Sequence, residues 1–273
     1  MKLAAVEVSK SFDSKRKVDK KFAVNKMSIS VEPGQFVAIV GESGSGKSTV
    51  ARLLLNLLPA TEGIVTFNNI EVSKLSRRQK QEFRQSVQSI LQDPSGSLNP
   101  RKSVRQSLME VVRLHHTVSG KLEQLDHVHK TLESVGLFPA ENYADRFPHE
   151  LSGGQRQRVL IARALILNPQ IIIADEAVSA LDVSVKASIL NLINRLRREK
   201  NIGYIFISHD LPVVKKVADY VYVMKDGVVV EEGTKDEIFR QPKTAYVREL
   251  IASAPEPDPK EAKEWLLALA ELG

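Results

Sequence analysis

The sequence predicts an α/β fold: a mostly parallel sheet core accompanied by an antiparallel β subdomain and a helical subdomain. Three short apolar runs, Gln35–Val40, Gln170–Asp175 and Gly203–Ser208, are suited to strands that are buried on both faces of a sheet. Helix-periodic stretches separate such runs, and strands that alternate with helices favour parallel order. A chain of 273 residues is long enough to bury one large core.

The antiparallel β subdomain is predicted near the beginning of the chain. Leu3–Val8 alternates apolar and polar residues, and Ala23–Val31 is a second strand candidate. Residues 60–75 have the pattern of short strands around an Asn-Asn turn. One helix is expected between these strands, directly after Thr49, and a brief further strand is expected at Ser89–Leu91.

The helical subdomain is predicted over about residues 93–150, because the sequence from Val104 to about Arg146 is helical, polar and without a strong strand signal. Beyond it we expect a helix from about Val185 to Lys200, a hairpin turn at Asp226-Gly227, a helix near Asp236–Arg240 and a stiff Pro-rich linker at Ala254–Pro259. We therefore expect one domain over residues 1–255, followed over 256–273 by a linker and a short amphipathic helix.

Composition and charge exclude several classes of protein. The chain has no cysteine, which excludes a disulfide framework and Cys-ligated metal or iron–sulfur sites. Its net charge of +6 is compatible with nucleic acid, an anionic membrane surface or small anions, and by itself favours none of them. No segment approaches the run of about 18 apolar residues typical of a membrane span, and the start is too short an apolar run for a signal peptide. We expect a cytoplasmic protein that reaches a membrane only by docking onto another one.

A phosphate-binding loop is predicted at Gly41–Ser48, "GESGSGKS", which matches G-x-x-x-x-G-K-[ST] between an apolar strand and a helix. The glycines let backbone N–H groups close around phosphates, Lys47 can reach the β- and γ-phosphates, and the Ser48 hydroxyl can bind Mg²⁺. A Gly-rich turn with a chance lysine is the alternative, and the strand–loop–helix context disfavours it. The predicted nucleotide-binding residues are Gly41, Ser43, Gly44, Ser45, Gly46, Lys47, Ser48 and Thr49.

An acidic pair follows the strand "IIIAD". Asp175 suits Mg²⁺ binding, and Glu176 suits a general base or a water-orienting role, because ligands of open α/β sheets lie at the carboxyl ends of the strands. An acidic pair that merely ends a strand is the alternative. His209 ends a candidate neighbouring strand, where the same sheet edge would bring it near the γ-phosphate. Gln92 could reach Mg²⁺ or the attacking water, although a single His or Gln at a strand end is more often structural.

The stretch "LSGGQ", Leu151–Gln155, has no Cys or His to act as a nucleophile or base, and it has no metal-ligand spacing. It is identical to the signature motif of the ATP-binding cassette ATPases, and the chain resembles that family over residues 1 to about 255. "GESGSGKST", "LQD", "IIIADE", "SALD" and "SHD" occur in the family's order. The resemblance implies a P-loop NTPase-type core that hydrolyses ATP with Mg²⁺.

The resemblance also implies roles for residues that the spacing alone does not explain. The signature residues Ser152, Gly153, Gly154 and Gln155 would bind the γ-phosphate held by the P-loop of a second cassette. Asp182 would lie at the interface between the two cassettes. Phe12 would stack on the adenine ring, with Phe22 as the rival aromatic residue. Arg156 and Arg158 are expected to shape packing and charge rather than catalysis.

The partners implied by the resemblance are a second ATPase subunit, two membrane-spanning permease subunits and, indirectly, an extracytoplasmic solute-binding protein. The second subunit is expected to be a related, non-identical chain, with a homodimer left open. The helical subdomain would dock on the permeases at the cytoplasmic face of the membrane, and the loop that begins at Gln92 would sense that docking. No nucleic acid is expected.

A narrower resemblance points to the importer branch for oligopeptides, dipeptides and nickel. "SLNPRKSV" at Ser97–Val104 is similar to that branch, and so is the tail pattern formed by Pro242, Tyr246, Leu250 and Pro255. These motifs do not separate peptides from metal chelates as cargo. Ala177 departs from the family, which usually has Pro after the catalytic Glu, so we expect a looser turn with the catalytic group retained.

Two other functions remain as alternatives. A soluble cassette protein acting on nucleic acid or ribosomes would fit the basic charge, but such proteins usually carry two cassettes or a long coiled-coil insertion. A P-loop kinase of a small metabolite would not require "LSGGQ". The motor subunit of an importer is therefore the preferred prediction.

Overall fold

The computed structural model describes residues 1–12, 21–90, 98–115, 118–179 and 181–253. The strands within these ranges are β1 (Leu3–Ser11), β2 (Phe22–Val31), β3 (Phe36–Val40), β4 (Glu62–Phe67), β5 (Ile70–Glu71), β6 (Val87–Ile90), β7 (Ile171–Asp175), β8 (Gly203–Ile207), β9 (Tyr220–Lys225) and β10 (Val228–Thr234). The α-helices are α1 (Lys47–Leu54), α2 (Arg77–Ser86), α3 (Val104–His115), α4 (Lys121–Ser134), α5 (Glu141–Ala144), α6 (Gly153–Leu165), α7 (Val183–Lys200), α8 (Leu211–Val217), α9 (Lys235–Arg240) and α10 (Ala245–Ala252). Short 3₁₀ turns occur at Val72–Lys74 and Pro148–Glu150.

The larger sheet has the strand order β10-β9-β3-β8-β7-β6. Its neighbours from β9 to β6 run parallel, and β10 joins the edge antiparallel to β9. A separate antiparallel sheet has the order β2-β1-β4-β5. The predicted fold class, a mostly parallel core with an antiparallel β subdomain and a helical subdomain, is confirmed.

The central strands of the parallel sheet, β3, β7 and β8, are buried at every position, and their residues are almost all apolar. Along β7, Ile172 and Ala174 pack into the cluster formed with the helices of one face, whereas Ile171 and Ile173 pack into the cluster shared with α1 and the antiparallel sheet. Successive side chains of a strand point to opposite faces, so a continuous apolar run serves two cores at once. Each fully buried Ile contributes about 1.5–3 kcal/mol of transfer free energy.

The helical subdomain, α3 to α5, is fastened to the rest of the chain by arginines. On α7, Arg195 Nη2 donates to the carbonyl of Ser134 at 2.6 Å, and on α6 Arg158 donates to the carbonyl of Val135. Both carbonyls lie at the end of α4, where cations stabilise the unpaired backbone oxygens of a helix. Arg158 thus has the packing role that the sequence predicted for it.

Two helices were not predicted from the sequence. α2 begins with a capping box, in which Ser76 Oγ accepts from Gln79 N and Gln79 Oε1 accepts from Ser76 N. α10 lies in the tail that had been recognised only as a motif, and Thr244 caps it. In the described part of the chain, no helix combines the length and the apolar character needed to cross a bilayer.

Candidate nucleotide-binding site

Three neighbouring strands of the parallel sheet end at the same level. Glu176 N donates to Ile207 O at 2.9 Å, and Ser208 N donates to Ile39 O at 3.2 Å. The residues that directly follow β3, β7 and β8 therefore lie side by side at one edge. This confirms the predicted adjacency of the Asp175 strand and the strand that His209 follows.

The P-loop, Gly41–Ser48, curls between β3 and α1 with other backbone pressed against it. A Cβ at Gly41 would lie 2.1 Å from Met224 O, and one at Gly46 would lie 2.2 Å from Ala23 O. Both glycines also have positive φ, at 148° and 103°, so a larger residue is excluded by space and by conformation. Gly46 caps α1 without a side-chain hydrogen bond, which leaves the helix N-terminus suited to an anion.

Lys47 is the buried cation of the loop. Its Nζ donates to Gly41 O at 2.8 Å, to Glu42 O at 2.7 Å and to Ser45 Oγ at 3.3 Å. Burial lowers the pKa of Lys47, and the carboxylates of Glu176, Asp175 and Glu42 oppose that shift. The ammonium is thus held at the inner side of the loop beside the acidic pair.

Asp175 has an environment that suits a divalent cation. The residue is 6% exposed, its Oδ1 is buried without a hydrogen-bond partner, and Ser48 hydrogen-bonds to the carboxylate. Burial and the Glu176 charge raise the pKa of Asp175 against the opposing effects of Ser48, Lys47 and Arg52. An unpaired buried carboxylate oxygen next to a hydroxyl fits Mg²⁺, which takes few protein ligands and completes its shell with phosphate and water. No group of three His, Asp or Glu residues suited to a metal occurs in the described ranges.

Glu176 and His209 meet across the ends of β7 and β8. Glu176 Oε1 lies 3.1 Å from His209 Nδ1. The backbone of Glu176 has a φ of +48°, and its carbonyl accepts from both Ser179 N and Ser179 Oγ. The side chain of Glu176 is thereby turned into the site although Ala, rather than Pro, follows it.

The signature loop, Leu151–Gln155, opens α6 with a capping box. Ser152 Oγ accepts from Gln155 N at 3.3 Å, and Gln155 Oε1 accepts from Ser152 N at 3.0 Å. This cap uses only acceptors, so the Ser152 hydroxyl and the Gln155 amide keep N–H and O–H groups that can donate to a ligand. Gly153 and Gly154 make the first turn, and Gly154 lies so close to Val185 that a Cβ would approach within 2.6 Å.

Asp182 and Phe12 are both exposed. Asp182 is the N-cap residue of α7, but its side chain makes no capping hydrogen bond. Phe12 is 61% exposed, and Lys10 Nζ lies 5.6 Å from its ring centroid. It follows β1, whose last residue pairs with Phe22 beside the P-loop contact of Ala23. Both aromatic candidates therefore lie at the sheet end nearest the phosphate site.

The remaining predicted residues are distributed as follows. Ser45 is buried and Ser43 and Gly44 are exposed in the P-loop, while Thr49 lies in the first turn of α1. Gln92 lies outside the described residues, and so does the predicted amphipathic helix over 256–273.

The turn between β9 and β10 supports the P-loop, a contact that no local sequence pattern predicts. Gly227 N donates to Ser45 O at 3.0 Å, and Asn25 N donates to Gly227 O at 2.8 Å. The Asp226-Gly227 turn was predicted as a hairpin, but its contact with a loop some 180 positions earlier has no local signal. The tail lies nearby: Lys225 Nζ is 4.4 Å from the ring centroid of Tyr246.

Comparison with known proteins gives a family match. A family model described as "ABC transporter" matches residues 24–179, more than half of the chain. The glutathione import ATP-binding protein GsiA of Escherichia coli O157:H7 is 45% identical over 249 residues. That alignment covers 91% of this chain and 40% of the relative, so the chain spans less than half the length of the curated relatives it matches.

Solved structures agree with the fold. The dimeric structure of MJ0796, a bacterial ABC transporter cassette, and that protein's dimeric post-hydrolysis state bound to ADP and Pi each share 29% identity with this chain at a TM-score of 0.73. Each comparison covers 85% of this chain and 98% of the other. The cbiO1 protein from Clostridium perfringens, part of the ABC transporter complex cbiONQ, has 28% identity and a TM-score of 0.74 over 93% of this chain and 95% of its own.

Proposed function

The chain belongs to the ABC transporter family as one of its ATPase cassettes, and we propose that it is the ATP-hydrolysing motor subunit of an importer. The observation that carries the proposal is the edge where β3, β7 and β8 end together. Lys47, the buried Asp175 carboxylate and the Glu176–His209 contact all lie there. A cation, a metal-binding carboxylate and a candidate base are the groups that phosphoryl transfer to water requires.

In the proposed reaction, each group of this edge has one task. Lys47 and the N–H groups at the start of α1 bind the phosphates of ATP. Ser48 and Asp175 would hold Mg²⁺, which when bound supplies positive charge to the phosphate oxygens. Glu176 accepts the proton of the attacking water, and His209 holds the Glu176 carboxylate in place at 3.1 Å. Gln92 is proposed as a further contact to the metal or the water, and Phe12 as the adenine platform.

We propose that the site is completed by a second cassette. The donors of the signature loop, Ser152–Gln155, would bind the γ-phosphate held by the partner's P-loop, with Asp182 at the same interface. In support, the capping box leaves those donors available, and the similar MJ0796 cassette has been solved as a dimer. ATP would then close two cassettes on each other, and hydrolysis would separate them.

The proposed cargo is a small peptide, with a metal chelate such as nickel as the other member of the class. The tail motif of Pro242, Tyr246, Leu250 and Pro255 supports the peptide and nickel branch. The relative at 45% identity is named for import of glutathione, a tripeptide, which favours the peptide arm. The proposed partners are a second ATPase subunit, two permease subunits bound through the helical subdomain at the cytoplasmic face of the membrane, and a solute-binding protein. The second ATPase is proposed to be a related, non-identical chain, with a second copy of this chain as the alternative.

Uptake in a reconstituted system tests this function. The full chain would be co-produced with permease, solute-binding and ATPase proteins of the same importer branch, and purified through a tag on this chain. We expect the permease to co-purify, and we expect vesicles holding the complex to take up labelled glutathione or dipeptide only with ATP. A labelled nickel chelate measures the other cargo. Failure of the chain to bind any membrane subunit, together with ATP turnover stimulated by ribosomes or nucleic acid, would contradict the proposal.

A further inference from the structure

A partly buried ion pair joins the first turn of α7 to the segment that follows β8. Lys186 Nζ on α7 lies 2.6 Å from Asp210 Oδ2, and the two side chains are 18% and 22% exposed. Such a pair is screened less by solvent and salt than a pair on the surface. It therefore resists displacement of either partner.

Asp210 is fixed by its neighbours as well as by Lys186. Its Oδ1 accepts from Val213 N at 3.1 Å and so caps α8, and its N–H donates to Ser208 Oγ at 3.0 Å. His209 stands between Ser208 and Asp210 and is itself 59% exposed on its side chain. The ring of His209 has little packing of its own, so its direction depends on how firmly Asp210 is held.

Lys186, the other member of the ion pair, lies on α7, whose N-cap residue is Asp182. Lys186 N donates to Asp182 O at 2.8 Å, which places Lys186 in the first turn of α7. One continuous series of contacts then runs from Asp182 through Lys186 and Asp210 to His209, and from His209 Nδ1 to Glu176 Oε1. These contacts connect the start of α7 with the residues that follow β8 and β7, and none of them involves the P-loop.

We propose that Lys186 is a positioning residue for hydrolysis: its ion pair with Asp210 sets His209 against Glu176 and ties that contact to the position of Asp182. The proposal rests on the proposed ATPase site. Lys186 touches neither the phosphates nor the metal ligands in this arrangement. Its loss should therefore lower kcat and leave the binding of ATP unchanged, because Lys47, Ser48 and Asp175 keep their contacts.

Steady-state ATP turnover of the full chain in its assembled complex tests this. If the second cassette is a different chain, its catalytic Glu is replaced by Gln so that turnover reports the site of this chain. Lys186→Met keeps the length of the side chain and removes the charge, and we expect a kcat about three- to tenfold lower with KM for ATP within about twofold of wild type. Lys186→Arg should restore most of the loss, because it can still pair with Asp210.

Asp210→Ser removes the ion pair with Lys186 but keeps the cap of α8, because the serine hydroxyl can still accept from Val213 N. It should lower kcat as Lys186→Met does, and the double variant should lose no more than the stronger single one, because both remove the same interaction. Lys74→Met, which removes the contact of 2.5 Å between the exposed Lys74 and Glu71 outside the helical subdomain, is the control and should leave kcat unchanged.

Four results would each overturn the inference alone: wild-type kcat in Lys186→Met, additive losses in the double variant, no rescue by Arg in a folded protein, or an equal loss in Lys74→Met. These results are separable from failure of the proposed function. That failure would appear as a wild-type complex with no turnover, or with turnover that survives Lys47→Ala and Glu176→Gln, and it would overturn both.

Discussion

At the scale of single residues, Lys47 is the cation proposed to bind the phosphates of ATP. Replacing Lys47 with Ala removes the charge that faces the phosphates and leaves the apolar core untouched, so the fold should survive. Hydrogen bonds to charged groups contribute about 1.5–3 kcal/mol, so nucleotide affinity should fall roughly 10- to 100-fold. Titration with a fluorescent ATP analogue measures the affinity, and circular dichroism checks the fold. Lys74→Ala, on an exposed lysine, is the control; wild-type affinity and turnover in Lys47→Ala would contradict the P-loop assignment.

Glu176→Gln separates binding from hydrolysis. Gln keeps the shape of the side chain but cannot take a proton from water, and loss of a general base costs about 10²- to 10⁴-fold in rate. The variant should bind ATP as wild type does and accumulate as an ATP-bound dimer. Phosphate release and size-exclusion chromatography with ATP measure the two effects. Normal turnover in this variant would show that another group is the base, and the exposed Glu62→Gln should be inert.

In the ligand-free protein, the buried Asp175 carboxylate should lower the free energy of unfolding. The pKa of Asp175 is raised by burial and by Glu176, so the charged form is disfavoured in the fold. The resulting loss of stability begins as the pH rises above the unfolded pKa and is complete above the folded pKa. Asp175→Asn removes that loss of stability, and a gain of about 1 kcal/mol would raise Tm by about 2–4 °C. The same variant should lose the additional stabilisation that Mg²⁺ gives in the presence of nucleotide. A lower Tm without ligand would show that the carboxylate is favourably placed as it stands.

At the scale of elements, Glu231 fastens the tail to the sheet. From β10 its carboxylate accepts from Lys243 N at 2.8 Å, from Thr244 N at 2.9 Å and from Thr244 Oγ1 at 2.8 Å. Burial alone would raise the pKa of Glu231, but these hydrogen bonds outweigh it and leave the pKa below its ordinary value. Its stabilising contribution is therefore present at neutral pH and is lost as the pH falls through the folded pKa, below about 4.3.

Glu231→Gln should loosen the segment from Pro242 to Ser253. A neutral amide accepts these bonds less strongly, so we expect a cost of about 1–2 kcal/mol and faster backbone hydrogen exchange in α10 than in the rest of the chain. Exchange measured by mass spectrometry localises the effect. The exposed neighbour Glu232→Gln is the control, and unchanged exchange in α10 would show that the tail is held by its apolar contacts.

Elements with strong local patterns were predictable, and elements defined by distant contacts were not. β3, β7 and β8 are uniform apolar runs, and the P-loop between β3 and α1 has a motif that its backbone geometry requires. α2 was missed because it is almost entirely polar, with Phe83 as its one buried residue. α10 was missed because its register depends on Glu231, which lies on another element.

The contacts of the candidate site also fall into those that the sequence predicted and those that it did not. The strand ends could be placed together because parallel neighbours end at one edge, and the Glu176–His209 contact follows from that. The support of the P-loop by Gly227 and the Lys186–Asp210 pair join segments with no common local pattern. Contacts between segments that are far apart in the sequence could therefore be identified only from the folded structure.

At the scale of the whole molecule, the proposed two-cassette arrangement would give one chain the halves of two different sites. Its P-loop, Asp175 and Glu176 lie at the edge of the parallel sheet, whereas the signature loop lies at the start of α6 against Val185 of α7. The capping box at Ser152 stabilises α6 and still leaves donors for a ligand. If those donors serve the partner's P-loop, then lesions in the two motifs should affect different sites of a dimer.

Mixed dimers test this arrangement. Lys47→Ala in one chain and replacement of the signature Ser in the other place both lesions on one composite site, so the second site remains whole. Lys47→Ala and Ser152→Ala in the same chain place one lesion on each site. If each lesion costs about 10²-fold at its site, the first arrangement should keep up to about half of the turnover and the second on the order of one per cent.

The control for Ser152 is available within the chain. Ser76 forms the same kind of capping box with Gln79, so Ser76→Ala loses a helix cap worth about 1 kcal/mol without touching the signature loop. Turnover of each tagged dimer, corrected for unequal contributions of non-identical sites, is the measurement. Equal losses in the two arrangements, or an equal effect of Ser76→Ala, would mean that Ser152 acts within its own chain, through the stability of α6, and the two-chain site would have to be abandoned.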